Sequence, residues 1–180
     1  MSTDKRPWLQ CQRIADGLID RLSPACHRIE AAGSLRRHCA AVGDIELVAV
    51  PVLQLDLFGQ PTGRSMVDDL LAEWQVQILK NGDRYKQFVL TTSTGNDYQI
   101  DLFLQPDPAT WGVNFLIRTG CAEFSKRMVT PTRLGGLMPD RYHVRDARVW
   151  DGTAAIDTPE ESDVFAAWGM EYIPPEKRVR

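Results

Sequence analysis

The residues best able to do chemistry lie between Gly33 and Glu46. Gly33-Ser34-Leu35-Arg36-Arg37 offers backbone N–H groups, a hydroxyl and two guanidinium groups, a set suited to a polyphosphate where a helix opens. A short spacer leads to Gly43-Asp44-Ile45-Glu46-Leu47-Val48, an apolar run carrying two acids. Side chains alternate along a strand, so Asp44 and Glu46 are expected on one face, their Cβ atoms roughly 6.5–7 Å apart. Ile45 and Leu47 then take the core face. A third acid, Asp101, stands alone in Tyr98-Gln99-Ile100-Asp101-Leu102-Phe103-Leu104. A lone charge in such a run is costly unless it is paired or metal-bound. Three carboxylates from neighbouring strands can hold two divalent ions about 3.5–4 Å apart. Each feature alone has an ordinary reading: an acid-x-acid pair is commonly a solvated strand face, and two arginines a solvated helix. Their combination and order are what point to metal and phosphate.

The elements that must position these groups can be read in turn. Trp8, Cys11, Ala15, Leu18 and Leu22 follow the spacing of a helix with one buried stripe, ended by Ser23-Pro24. Residues 26–32 read as a short strand into the Gly33 turn. Ser65 with Asp68 resembles a capping box, and Met66, Val67, Leu70, Leu71, Trp74 and Ile78 predict a helix running to Asn81-Gly82. Tyr85–Thr92 and Asp97–Leu104 read as strands around a turn at 93–96, which delivers Asp101 to the sheet. Asp107-Pro108 caps a further helix that breaks at Thr119-Gly120, and a short helix is expected from Ala122 to Val129. A hairpin is expected at 142–149. Thr158-Pro159-Glu160-Glu161 predicts a helix start with Thr158 as N-cap, Phe165 and Trp168 on its buried face, and Gly169 as its stop.

Gly-Ser-x-Arg-Arg, a spacer, Gly-Asp-Ile-acid and a later Ile-Asp-Leu strand resemble the palm of the family X DNA polymerases, the nucleotidyltransferases similar to DNA polymerase beta. Thr119-Gly120-Cys121, Phe124-Ser125-Lys126 and the tail from Thr158 through Arg178 extend the likeness from about Arg28 onward. The resemblance implies an α+β fold: a palm with a mixed or antiparallel sheet and helices on one side, over residues 1–106, plus a small C-terminal α+β lobe, 107–180. It implies nucleotidyl transfer from a nucleoside triphosphate to a 3′-hydroxyl, most simply DNA synthesis on gapped or primed DNA. Asp44, Glu46 and Asp101 are the implied catalytic and metal-binding residues for two Mg²⁺ (or Mn²⁺) ions. Gly33, Ser34, Arg37, Gly43, Thr119 and Gly120 are the implied nucleotide-binding residues. Glu46 stands where the family usually has Asp, and aminoglycoside nucleotidyltransferases look similar in using Asp-Ile-Glu. Transfer to RNA ends or a small molecule therefore stays open, as does a non-catalytic clamp- or DNA-binding module.

The 180 residues, with 21 Lys and Arg against 24 Asp and Glu, carry a net charge of −3. That is a poor match for an enzyme gripping DNA by phosphate contacts alone. Gln54-Leu55-Asp56-Leu57-Phe58, flanked by Pro51, Gly59 and Pro61, resembles the peptide with which bacterial replication proteins bind a sliding clamp. Gln54, Leu55, Leu57 and Phe58 would be its anchors, unless they simply pack into the chain's own core. The four cysteines make no CxxC pair and read as reduced thiols, and no run has a signal-peptide or membrane-spanning pattern, so a cytoplasmic enzyme with no membrane partner is expected.

Overall fold

Residues 5–74 and 76–178 are described in a computed structural model, in which the chain falls into two units, Met1–Pro106 and Asp107–Arg180. In the first, β1 (Arg6–Pro7) leads into α1 (Trp8–Leu22), whose Cys11, Ala15, Leu18 and Leu22 form the buried stripe. Pro24 sets a 3-10 turn at Ser23–Ala25, which redirects the chain into β2 (Cys26–Ala31). One helical turn, α2 (Gly33–Arg36), and β3 (Ala41–Val42), paired to β1, precede β4 (Ile45–Pro51). β5 (Leu53–Leu55) and β6 (Pro61–Ser65) make a small hairpin, followed by α3 (Met66–Glu73). β7 (Gln77–Asn81), β8 (Tyr85–Thr91) and β9 (Asp97–Leu104) complete the main sheet.

The order of that sheet is β2-β4-β9-β8-β7, with β4 and β9 parallel and the other neighbours antiparallel. Its core face carries Ile45, Leu47, Ala49, Phe88, Ile100, Leu102 and Leu104, which share one cluster with the stripe of α1 and with Val67 and Leu71 of α3. Alternation then sends Glu46 and Asp101 to the opposite face.

The predicted helix over 66–81 is too long. The Ser65–Asp68 capping box forms, but α3 closes at Trp74, and Ile78 lies in β7 opposite Phe88. Pairing with β8 supplies residues 77–81 with ladder hydrogen bonds that outweigh the helical spacing. Asp68 also anchors Lys86, which is only 2% exposed, through a 2.5 Å ion pair. Burial pushes the Asp68 carboxyl up, but Lys86 and the Ser65 donors together hold it below the ordinary carboxylate range.

In the second unit a 3-10 turn at Pro108–Thr110 opens α4 (Trp111–Thr119), with Asp107 accepting from the Ala109 N–H. α5 (Ala122–Met128) is followed by a three-stranded antiparallel sheet of β10 (Tyr142–Arg145), β11 (Arg148–Asp151) and β12 (Ala154–Ile156), then by α6 (Glu161–Ala167). Val113, Leu116, Phe124, Met128, Val149, Val164 and Phe165 belong to its own core. The cap of α6 differs from expectation: Glu160, not Thr158, is N-cap, boxed with Asp163. Thr158 is committed elsewhere, donating its N–H to Ala109 O and accepting from Gly112 N at 2.6 Å. A Cβ at Gly112 would lie 2.0 Å from Glu160 O, so the glycine permits this backbone contact. Arg178, fully buried, clamps Glu161 through two hydrogen bonds of 2.6 and 3.2 Å among the rings of Phe124, Phe165 and Tyr172.

Candidate active site

The Gly33 turn is built to stay open. Gly33 has φ +58, a conformation that suits glycine, and the Ala32 N–H is tied to Glu46 O at 2.8 Å, fixing the turn to β4. Leu35 is fully buried and its carbonyl accepts from Trp8 Nε1 at 2.8 Å. No side chain caps α2, and the Ser34 hydroxyl is buried with no hydrogen-bond partner among the described residues. A buried hydroxyl with no partner, beside an uncapped helix N-terminus, leaves donors that an anion could accept from. Arg36 and Arg37 are half-buried and both interact with neighbouring groups.

The acids lie beside this turn. Parallel pairing sets Glu46 directly against Asp101. Asp101 is 8% exposed, and its Oδ1 accepts from both Tyr85 Oη at 3.0 Å and Gln87 Nε2 at 2.8 Å. Asp44 lies in the bend just ahead of β4, half-buried, not within the strand as expected. Burial raises the Asp44 carboxyl above its ordinary range, and the charge of Asp101 and a hydrogen bond shared with it push the same way. The Glu46 carboxylate turns toward Gly33, where a Cβ would lie 1.6 Å from Glu46 Oε2. The structure thus joins Asp44 to Asp101 and sets Glu46 against the turn. Among the described residues no three acid, His or Cys side chains are gathered into a formed ion site.

The donor set still fits a hard divalent cation. Asp44, half-buried, and Asp101, buried, are close enough for the charge of one to act on the other, and oxygen-only ligands of this kind suit Mg²⁺ or Mn²⁺. Gly43 lies in the same bend as Asp44. Thr119 and Gly120 belong to the second unit, where Gly120 lets α5 approach; a Cβ there would be 2.4 Å from Ser125 Oγ. A cleft of about 540 Å³, walled by Trp8, Ile19, Ile29, Leu35, Arg36 and His38, does not include the three acids, so the geometry of the acids defines the candidate site. Tyr85 and Gln87 were not singled out from sequence. The one signal for Gln87 is that it and Asp101 lie equally far from Thr94 at the centre of the hairpin, which makes them cross-strand partners.

The mixed sheet with its parallel β4–β9 pair and helices on its core face gives the chain an α+β fold like that of polymerase beta. One solved structure with this fold is the polymerase beta of Leishmania infantum, determined as a ternary P/T complex. It matches with a TM-score of 0.76 over 99% of this chain and 78% of that one, at 16% identity. No family model and no curated protein matches the chain.

Proposed function

We propose that the chain is a nucleotidyltransferase that moves a nucleoside monophosphate from a nucleoside triphosphate to a 3′-hydroxyl, acting as a minimal family X DNA polymerase on gapped or primed DNA in the cytoplasm. The observation that carries this reading is the contact between Asp44 and Asp101, with Glu46 in register and the orphan Ser34 hydroxyl nearby. In the reaction the 3′-oxygen bonds to the α-phosphorus, the bond to pyrophosphate breaks, and the hydroxyl proton leaves. Asp101, oriented by Tyr85 and Gln87, is the group placed to hold that proton. The Gly33 turn and Ser34 grip the outer phosphates, with Arg37 adding charge. Asp44 and Asp101, with Glu46 beside them, would hold the divalent ions, two in the family's pattern, which supply charge neutralisation to the triphosphate and the attacking oxygen.

The test is extension of a labelled one-nucleotide-gapped duplex with each nucleoside triphosphate tried singly, comparing the parent chain with Asp44→Asn and Asp101→Asn. Template-matched addition by the parent and none by the variants is expected. Full activity of Asp101→Asn ends the proposal, and transfer only to RNA or a small molecule ends its DNA part.

A sliding clamp remains the proposed partner of Gln54–Phe58. In its favour, Leu57 and Phe58 are 101% and 88% exposed at the β5–β6 tip. Against a ready-made extended peptide, the Gln54 amide is held by Asp69 at 2.5 Å, and Asp56 Oδ1 closes the turn by accepting from the Phe58 and Gln60 N–H groups. Docking therefore requires that turn to open.

A further inference from the structure

We propose, on the reading of the Gly33 turn as the outer-phosphate site, that Trp8 is the positioning residue that sets this turn for a nucleoside triphosphate. α2 is one turn of four residues, too short to hold its shape by its own hydrogen bonds. Leu35, fully buried, ties it to the core. The exit of the turn is fixed from outside, by the first residue of α1. Trp8 Nε1 donates to Leu35 O at 2.8 Å, and the same carbonyl accepts the His38 N–H at 3.0 Å. The Trp8 ring stacks on His38, with centroids 5.0 Å apart and planes 18° from parallel. The Trp8 N–H donates to Ala40 O at 3.2 Å. One residue thus grips Leu35, His38 and Ala40 in succession.

His38 shows why the grip is needed. Its φ is +55, in the left-handed region that is costly for a residue with a side chain. Such a backbone persists only where its surroundings over-determine it, and the Trp8 ring closing on the imidazole is a contact that does so. The bend at His38 brings the Cys39 N–H back to Ser34 O at 3.0 Å, beside the Arg37 N–H on Gly33 O at 3.1 Å. The carbonyls of Gly33, Ser34 and Leu35 are therefore all engaged by the segment Trp8 holds. Peptide planes held in this way cannot rotate to present oxygen to an anion.

The acids have separate ties. β1 pairs Pro7 with Ala41 and Arg6 with Val42, up to the residue before Gly43. Arg6 also donates to Asp97 O at 3.0 Å, at the start of β9. Loss of the Trp8 side chain leaves these ties in place, so it should loosen the phosphate end of the segment and spare the Asp44 end.

The test compares a non-hydrolysable nucleoside triphosphate with the matching nucleoside monophosphate. Binding of each to the full chain is measured with Mg²⁺ and without primer, by displacement of a fluorescent nucleotide, and nucleotide KM and kcat are taken from gap filling. Trp8→Ala should weaken the triphosphate on the order of tenfold. Trp8→Phe, which keeps a ring on His38 but loses the indole donor, should weaken it about threefold. His38→Asn suits the left-handed backbone but removes the stacked ring, and should also cost about threefold. In all three the monophosphate should bind as it does to the parent, and KM should rise while kcat moves much less. A merely looser fold would weaken both nucleotides alike and lower kcat with the active fraction. An unchanged ratio of triphosphate to monophosphate affinity in Trp8→Ala and His38→Asn overturns the role of Trp8 alone. A parent chain that binds triphosphate no better than monophosphate overturns the phosphate reading of the Gly33 turn, and the role of Trp8 with it. If Trp8→Ala melts early, Trp8→Phe and His38→Asn decide.

Discussion

Gly33→Ala isolates the geometry that joins the turn to the acids. A left-handed alanine costs about 1–2 kcal/mol, and the restricted unfolded chain returns about 0.4–1 kcal/mol of that. The new Cβ would meet the Glu46 carboxylate, at 1.6 Å from Oε2 and 2.6 Å from Cδ, but these are the far end of a flexible side chain and can swing away. The net loss should be about 1 kcal/mol, a Tm drop of roughly 2–4 °C for a chain this size. Turnover should fall far more, on the order of a hundredfold, because both the Glu46 carboxylate and the turn's N–H groups are displaced by about an ångström. Gly17→Ala is the matched control: Gly17 lies mid-helix with nothing within 4 Å of its added Cβ, so it should gain about 0.5–1 kcal/mol. The double variant should melt near the parent and remain inactive. Melting curves and gap-filling rates on the four proteins provide the check. Gly33→Ala with turnover within twofold of the parent would show that Glu46 and the turn have no part in the chemistry.

Other perturbations follow from the charges and the core. Because the Asp44 pKa is raised in the fold, its ionisation costs stability above its unfolded pKa, and that cost is relieved as pH falls through the folded pKa. Asp44→Asn should therefore melt higher than the parent in metal-free neutral buffer, with the gap closing in acid, while turnover is lost. Glu161→Gln leaves the fully buried Arg178 without its counter-charge and should cost about 3–5 kcal/mol by denaturant titration. Replacing Leu57 and Phe58 together by alanine should move stability by no more than about 0.5 kcal/mol, since both side chains face solvent; a loss of several kcal/mol would place them in a core.

What the sequence could show was mostly local. The α1 stripe, the Gly33 turn and the 93–96 turn each depend on residues close in the chain, and spacing and turn chemistry reveal them. Ile78 misleads because helical spacing and edge-strand pairing compete for the same apolar residue, and only the presence of β8 settles it. Thr158 misleads because a good capping residue was needed by the backbone of α4. The Asp44–Asp101 contact, the Tyr85 and Gln87 bonds that orient Asp101, and the Arg178–Glu161 clamp join residues distant in sequence. No periodicity announces them.

The parallel β4–β9 pairing also fixes when the site can exist. β2 and β4 are near neighbours in sequence, and β8 and β9 form a hairpin, so each pair can assemble early from short loops. β4 meets β9 across more than fifty residues, a closure that is slow because long-range contacts reward the chain only after its loop entropy is lost. Asp44 and Asp101 therefore come together at a late step of folding. A partly folded chain would carry the Gly33 turn but no carboxylate pair, so during refolding the recovery of the pair should lag behind that of the β8–β9 hairpin.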